Sequence, residues 1–223
     1  KTTDTHVKDI LENEFNLKHK INFGLGMNPE FLREGDAVDD FLNPDRIVIG
    51  YEDNITKDRL EKLYEVFECK KIFVNTRTAE LIKYVNNSLL ATQIVIHNEF
   101  SNIARKTGGI DYKEIIEGVV SDKRWSIQAS NETFIPSIVD YFQPGYGYGG
   151  SCFPKDVKAL LEYSKGLDSE SLVLDSVIKS NDLQPLFVEE VLKENIDLKD
   201  KKKILILGTS FKPETDDIRE SSS

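Results

Sequence analysis

From residue 79 to residue 107, apolar side chains recur at helical spacing, with Ile82, Val85, Leu89, Ile96 and Ile103 on one stripe, and the run stops at Gly108-Gly109. So long a helix makes the middle of the chain helical and leaves sheet-forming segments only to either side of it. A second long helical stretch is expected from about Ser169, kinked at Pro185. Together the two offer more apolar surface than one helical layer can hide, so a homodimer packed through these helices is expected.

The flanks read differently. Residues 4–16 place Val7, Ile10, Leu11 and Phe15 at helical spacing. Three short apolar runs follow, Ile21–Gly26, Arg46–Tyr51 and Lys71–Val74, each of strand length. Between the last two, residues 57–68 carry Leu60, Leu63, Val66 and Phe67 on one helical face. Such alternation predicts an α/β layer with parallel pairing. Beyond the long helix, Asp111 with Glu114 three residues on forms a capping-box pattern. Residues 125–150 read as loop, with Pro136, Pro144 and four glycines. A helix should begin near Pro154 and end by Gly166, and Lys203–Leu207 reads as a buried strand followed by Gly208.

The expected fold class is α/β with a central all-helical domain and partial Rossmann-like layers at both ends. The boundaries drawn are 1–76, 77–199 and 200–223. The amino-terminal layer has too few strands to bury its own faces, and a strand opening at Lys203 cannot complete a domain by residue 223. The chain therefore reads as an excerpt: the tail of one α/β domain, a whole helical domain and the head of another.

The formal net charge is −10 and the lysines are scattered, so no basic patch for nucleic acid is expected. An anionic ligand would need locally placed cations or backbone N–H groups. The two cysteines form no CxxC pair and the three histidines lie far apart, so no metal site is expected. No apolar run approaches the ~20 residues that span a bilayer, and the amino terminus lacks the apolar core of a secretory signal. A reduced, cytoplasmic protein is the expectation.

Three clusters carry chemistry. In Gly145-Tyr-Gly-Tyr-Gly-Gly-Ser-Cys-Phe-Pro-Lys-Asp156, the glycines allow close backbone approach and the cysteine falls at a loop-to-helix junction. The positive end of a helix dipole favours a thiolate there, and Asp156 lies one turn on, on the same face. A lone cysteine is more often a small buried hydrophobe, which is the reading kept for Cys69; the glycines, Pro154 and the nearby charges reverse it for Cys152. In Asn28-Pro-Glu-Phe-Leu-Arg-Glu-Gly35, just after an expected strand, Glu30 and Glu34 sit where α/β proteins bind ligands. Lys83 and Asn87, four residues apart, share a face of the long helix. Taken singly, these acids and this lysine–asparagine pair read as ordinary solvated groups.

Together with the helix from Glu80 to Asn87 and Leu207-Gly-Thr-Ser-Phe-Lys-Pro-Glu-Thr-Asp-Asp-Ile-Arg219, these clusters resemble the UDP-glucose/GDP-mannose dehydrogenase family in order and spacing across essentially the whole chain. The Gly-Gly-Ser-Cys-Phe-Pro-Lys-Asp form is similar to the UDP-glucose branch. The resemblance implies an NAD-binding Rossmann domain, a helical dimerisation core and a UDP-binding domain, and a four-electron oxidation of a nucleotide-sugar C6 alcohol to a carboxylate. It further implies that Cys152 forms a thiohemiacetal and then a thioester, that Lys83 and Asn87 stabilise the oxyanion, and that Glu30 and Asp156 serve thioester hydrolysis. Phe31, Leu32, Arg33, Glu34, Tyr146, Gly149, Lys212 and Arg219 would hold the nucleotide sugar, with Glu34 and Lys155 contacting NAD.

Some family features are missing. The glycine-rich dinucleotide fingerprint of the first domain is not found, nor is an active-site threonine that belongs before the Thr-Thr stretch. The usual arginine-bearing segment is not recognisable between Ser126 and Phe142. By itself, the chain is expected neither to bind NAD well nor to turn over. GDP-mannose dehydrogenase is the competing enzyme reading. A branch acting on N-acetylated sugars would put a histidine where Ser151 stands. A non-catalytic dimerisation scaffold and a cysteine hydrolase are the readings from other classes; no histidine lies near Cys152 in sequence to serve the latter.

Overall fold

A computed structural model describes residues 2–129, 132–197 and 203–223. The chain forms two compact units, residues 1–86 and 87–223.

In the first unit, a π-wound turn over Thr2–Val7 runs into α1 (Lys8–Asn13). Its opening amides are satisfied by Glu80, whose carboxylate accepts from Thr2 N (3.1 Å), Thr3 N (2.8 Å) and Thr3 Oγ1 (2.7 Å). Burial disfavours that charge, yet the donated hydrogen bonds outweigh it and hold Glu80 below the ordinary carboxyl range. Strand β1 is only Gly26–Met27. The expected strand from Ile21 is instead a turn: Asn22 N donates to Lys18 O (2.8 Å), Lys18 N donates to Asn22 Oδ1 (2.9 Å), and Lys20 takes φ 66°. Asn22 offers its own side chain in place of a ladder partner, and Ile21 is left 77% exposed.

After α2 (Ala37–Leu42) come β2 (Arg46–Tyr51), α3 (Asn54–Leu63) and β3 (Lys70–Val74). Strands β2 and β3 pair in parallel from Arg46↔Lys70 to Gly50↔Val74, as the βαβ alternation predicts. Strand β1 joins the other edge of β2 antiparallel, Gly26↔Tyr51, against the all-parallel expectation. Val48 and Ile49 are wholly buried, with Leu25 and Ile47 beside them in the core. Helix α3 starts earlier than the periodicity suggests because Asp53 caps it, accepting from Thr56 N (2.8 Å) and Thr56 Oγ1 (2.7 Å). It stops before Val66, which is 80% exposed.

Helix α4 (Thr76–Thr107) is one unbroken element of 32 residues, closed by Gly108 at φ 79°. In the second unit its buried side carries Ala91, Val95 and Ala104, whereas Leu89 and Ile103 of the expected stripe are 59% and 57% exposed. Helix α5 (Tyr112–Val120) is capped by Asp111, which accepts from Lys113 N at 2.9 Å. The region expected to be loop contains a hairpin, β4 (Ile127–Ala129) with β5 (Glu132–Phe134), and a 3₁₀ turn over Ser137–Phe142. Helix α6 (Cys152–Lys165) follows, then α7 (Leu172–Leu183) and α8 (Leu186–Asn195), the last two separated at Gln184-Pro185 by the proline expected to kink them.

Two apolar clusters hold this unit. Ala91, Val95, Tyr148, Val157 and Val177 join α4, the glycine loop, α6 and α7. Ala104, Tyr112, Ile116, Val120 and Phe142 join α4, α5 and the 3₁₀ turn. Buried His97 stacks on Phe142 at 4.1 Å and shares a 2.7 Å hydrogen bond with the Tyr112 hydroxyl; burial lowers its pKa.

The Lys203–Leu207 run is not a strand. Ile204, Leu205, Ile206 and Leu207 are 57–86% exposed, because among the described residues no neighbouring strand offers a ladder to join. The boundary drawn at 199/200 lies outside the described residues. Among the described residues no helix is long and apolar enough to cross a membrane.

Candidate active site

Cys152 is the first residue of α6 and is half-buried; Ser151 Oγ lies 3.7 Å from its Sγ. The helix begins here, two residues before Pro154, which sits buried in the first turn where no intrahelical N–H is needed. One turn on, Asp156 has no exposed surface. Its Oδ2 accepts from Asn87 Nδ2 at 2.7 Å, and its Oδ1 pairs with Lys155 Nζ. A buried carboxylate needs such donors to remain in place.

The glycine loop before Cys152 is packed against the chain itself. A side chain at Gly149 would begin 2.3 Å from Glu220 O and 2.9 Å from Phe211 Cβ, and one at Gly150 would meet the Phe211 ring at 2.7 Å. Gly150 N donates to Arg219 O at 2.8 Å. These two glycines therefore admit the Phe211–Glu220 segment, and the open approach is at Gly145, whose Cβ position has nothing within 4 Å. Tyr146 is 62% exposed, with its carbonyl accepting from Ser222 Oγ at 2.8 Å. Tyr148 is buried, and that burial, reinforced by Asp182 and Glu220, pushes its hydroxyl up to about 12. Arg219 forks onto Asp217 (Nε–Oδ1 2.8 Å, Nη2–Oδ2 2.8 Å), and Lys212 Nζ stands 6.0 Å over the Phe211 ring.

In the first unit, the loop after β1 is fixed by Asn28, which donates to Val48 O (2.7 Å) and accepts from Tyr64 OH (2.7 Å). Glu30 Oε2 accepts from Leu32 N at 2.9 Å, and Oε1 pairs with Lys83 Nζ. The Arg46 guanidinium stacks 4.2 Å from the Phe31 ring centroid. Arg33 forks onto Asp40, with Nη2–Oδ1 at 2.6 Å and backbone N–Oδ2 at 2.7 Å, and Glu34 beside it is half-buried.

Of the residues singled out from sequence, Glu30 meets Lys83 in one unit, and Asn87, Lys155 and Asp156 meet in the other. Lys83 and Asn87 lie one turn apart on α4. Phe211 and Asp217 enter the sequence reading only as members of the Leu207–Arg219 motif, and Asp40, Asn98, Asn181 and Gln184 carry no signal of their own in the sequence. Each is an ordinary residue type on its own segment, and its role appears only in long-range contacts.

The dinucleotide expectation can be tested against the glycines of the first unit. A Cβ at Gly24 would lie 1.8 Å from Thr56 Oγ1, one at Gly26 2.5 Å from Leu60 Cδ1, and one at Gly50 2.7 Å from Ala79 Cβ. Each of these glycines makes room for a neighbouring helix of the protein, so none of the three offers a backbone cradle for a pyrophosphate. Gly145–Gly150 does have G-x-G-x-x-G spacing, but it follows a 3₁₀ turn and no strand, so it is not the dinucleotide fingerprint.

Comparison with known proteins gives the family. Residues 1–68 match the UDP-glucose/GDP-mannose dehydrogenase family, NAD binding domain, and residues 77–183 match the same family's central domain. A UDP-glucose 6-dehydrogenase of Bacillus subtilis is 39% identical over 207 residues, covering 93% of this chain and 44% of the relative. A GDP-mannose 6-dehydrogenase of Pseudomonas putida is 39% identical over 220 residues, covering 99% and 47%. The solved UDP-glucose dehydrogenase of Pyrobaculum islandicum superposes with a TM-score of 0.85 at 35% identity, over 99% of this chain and 48% of that one. The chain thus spans about half the length of the relatives it matches. With both domain types matched in order along one sequence, the chain belongs to the UDP-glucose/GDP-mannose dehydrogenase family, whose cofactor is NAD.

Proposed function

We propose that the full-length protein performs the four-electron oxidation of the C6 hydroxyl of a nucleotide sugar, UDP-glucose to UDP-glucuronate, through a thioester on Cys152. The observation that carries this reading is Cys152 itself: a half-buried thiol opening a 14-residue helix, with a buried, hydrogen-bonded carboxylate one turn later. The N–H groups of the first helical turn are suited to stabilise negative charge developing on or beside the sulfur.

NAD, when bound, accepts the hydride in each oxidation. The residues of this chain are assigned what surrounds those events. Sγ adds to the C6 aldehyde; a C–S bond forms, the carbonyl π pair moves to oxygen, and that oxygen takes a proton. Lys83 is the cation assigned to the oxyanion, releasing Glu30 as it does so. In the closing step Glu30 takes a proton from water, the water oxygen adds to the thioester carbon, and the C–S bond breaks with its pair returning to sulfur. Asp156, being fully buried, acts through Asn87 and Lys155, whose polar ends it holds. Phe31 to Glu34, Tyr146, Lys212 and Arg219 are assigned to the nucleotide sugar, and Glu34 and Lys155 to contacts with NAD. The exposed apolar side of α4, with Leu89, Phe100 and Ile103, is assigned to a homodimer contact.

The test is turnover of the full-length protein with NAD and either UDP-glucose or GDP-mannose. Two NADH per UDP-glucose, and loss of carboxylate formation in Cys152→Ser, are expected. Preference for GDP-mannose would replace the substrate assignment, and near-normal turnover of Cys152→Ser would overturn the thioester.

A further inference from the structure

The loop that delivers Cys152 is held from behind by side-chain amides. Asn181 of α7 accepts from Tyr148 N (2.7 Å) and donates to Tyr148 O (3.0 Å), so one carboxamide satisfies both backbone groups of one residue. Three residues later Gln184 Nε2 donates to Gly145 O (2.7 Å), while Asn98 Oδ1 of α4 accepts from Gly145 N (2.7 Å). Gln184 is itself held by Asn102 Nδ2 at 3.0 Å. Asn98 and Gln184 are themselves buried, and Asn181 is half-buried. Gly147 takes φ 96°, and a Cβ there would lie 2.6 Å from Asn181 Oδ1: the glycine leaves the space the clamp fills.

The clamp is tied to the same body as the cysteine. Val177, one turn before Asn181 on α7, packs in the cluster that contains Val157 of α6 and Tyr148 of the loop. Tyr148 stands four residues before Cys152. Helix α7 therefore grips both the loop entering α6 and the helix that α6 becomes, which leaves the junction residue little freedom.

We infer that Asn181 is a positioning residue for Cys152, acting through the backbone of Tyr148, with Gln184 and Asn98 fixing the far end of the loop at Gly145. The inference rests on the proposed role of Cys152 as nucleophile. A side chain that holds a reacting atom in line changes turnover more than binding, because the misplacement is felt at the reacting centre.

The test uses the full-length protein with Asn181→Ala and Asn181→Asp. The aspartate keeps the volume and the acceptor for Tyr148 N–H but sets a second acceptor against Tyr148 O, so it probes the clamp even if the alanine variant folds poorly. Expected in both are amide exchange at Gly145–Tyr148 faster by about tenfold or more, faster alkylation of Cys152 by iodoacetamide, and kcat lower by roughly 10- to 100-fold with KM within about threefold. Unchanged exchange would overturn the clamp. Faster exchange with unchanged alkylation and kcat would reduce Asn181 to a structural residue. If the unsubstituted protein oxidised no nucleotide sugar, the proposed function would be what failed, and exchange and alkylation would still decide the clamp.

Discussion

Asn87 donates a 2.7 Å hydrogen bond to the carboxylate of Asp156, a side chain with no exposed surface. The two residues are 69 apart in sequence, and the bond ties α4 to the first turns of α6, the helix that Cys152 opens. An amide facing a buried carboxylate costs little when the bond is made and much when one partner is removed.

Asn87→Ala should therefore destabilise the protein by about 1–3 kcal/mol, read from urea unfolding. Asp156→Asn in the same background should cost less than it does alone, because the donor it would have lost is already gone. Strict additivity of the two losses would show that the bond contributes nothing.

Gly149→Ala places a methyl group 2.3 Å from a main-chain oxygen, Glu220 O, which cannot swing aside as a side-chain tip would. A loss of about 1–3 kcal/mol is expected. Displacing the Glu220 segment should also speed trypsin cleavage after Arg219, whose side chain is 66% exposed. Cleavage at the original rate with full stability would mean that the segment has somewhere else to go.

His97 is buried and its pKa lies below the ordinary histidine value of 6.5, because burial disfavours the imidazolium. The unfolded chain then binds the proton more readily than the folded one. This contribution to stability is fully present above about pH 6.5 and is lost as pH falls toward the folded pKa. Urea midpoints measured from pH 8 to pH 5 should decline less in His97→Phe than in the unsubstituted protein. Parallel curves would exclude the linkage.

Under the proposed function, Glu30 acts after both oxidations. Glu30→Gln in the full-length protein should give a burst of about two NADH per active site, then slow turnover with the acyl-enzyme accumulating. Mass spectrometry of quenched protein should find a sugar-nucleotide adduct on the peptide holding Cys152. With neither burst nor adduct, and hydride transfer itself slowed, Glu30 would belong to an earlier step.

How far the sequence revealed this molecule follows from the range of the forces involved. Helix α4, the opening of α6 near Pro154, the parallel pair β2–β3 and the proline break before α8 all follow from periodicity and from residues acting on their immediate neighbours. The turn at Lys18–Phe23 does not, because an Asn22 side chain competes with the ladder and hydropathy is blind to it. Lys203–Leu207 has a strand's composition, yet a strand also requires a neighbour. Periodicity marks the larger apolar residues of α4, whereas its buried side in this chain is lined by small ones, Ala91 and Ala104, that carry little hydropathic signal. For the candidate site, motif spacing marked Cys152, Asp156, Lys83 and Glu30. The amides behind the glycine loop carry no such mark, since Asn98 and Asn181, 83 residues apart, are ordinary helix residues until the fold brings them onto one stretch of backbone.

Helix α4 carries Lys83 and Asn87 on adjacent turns of one element. Each added residue rotates everything downstream by about 100° and advances it by about 1.5 Å. The gain or loss of one codon in this stretch therefore changes the geometry in a way that a change of letter does not. One inserted triplet between positions 83 and 87 would swing the lysine about a quarter-turn away from the asparagine with every hydrogen bond of the helix intact. Here the number of residues sets the geometry more directly than most of their identities do.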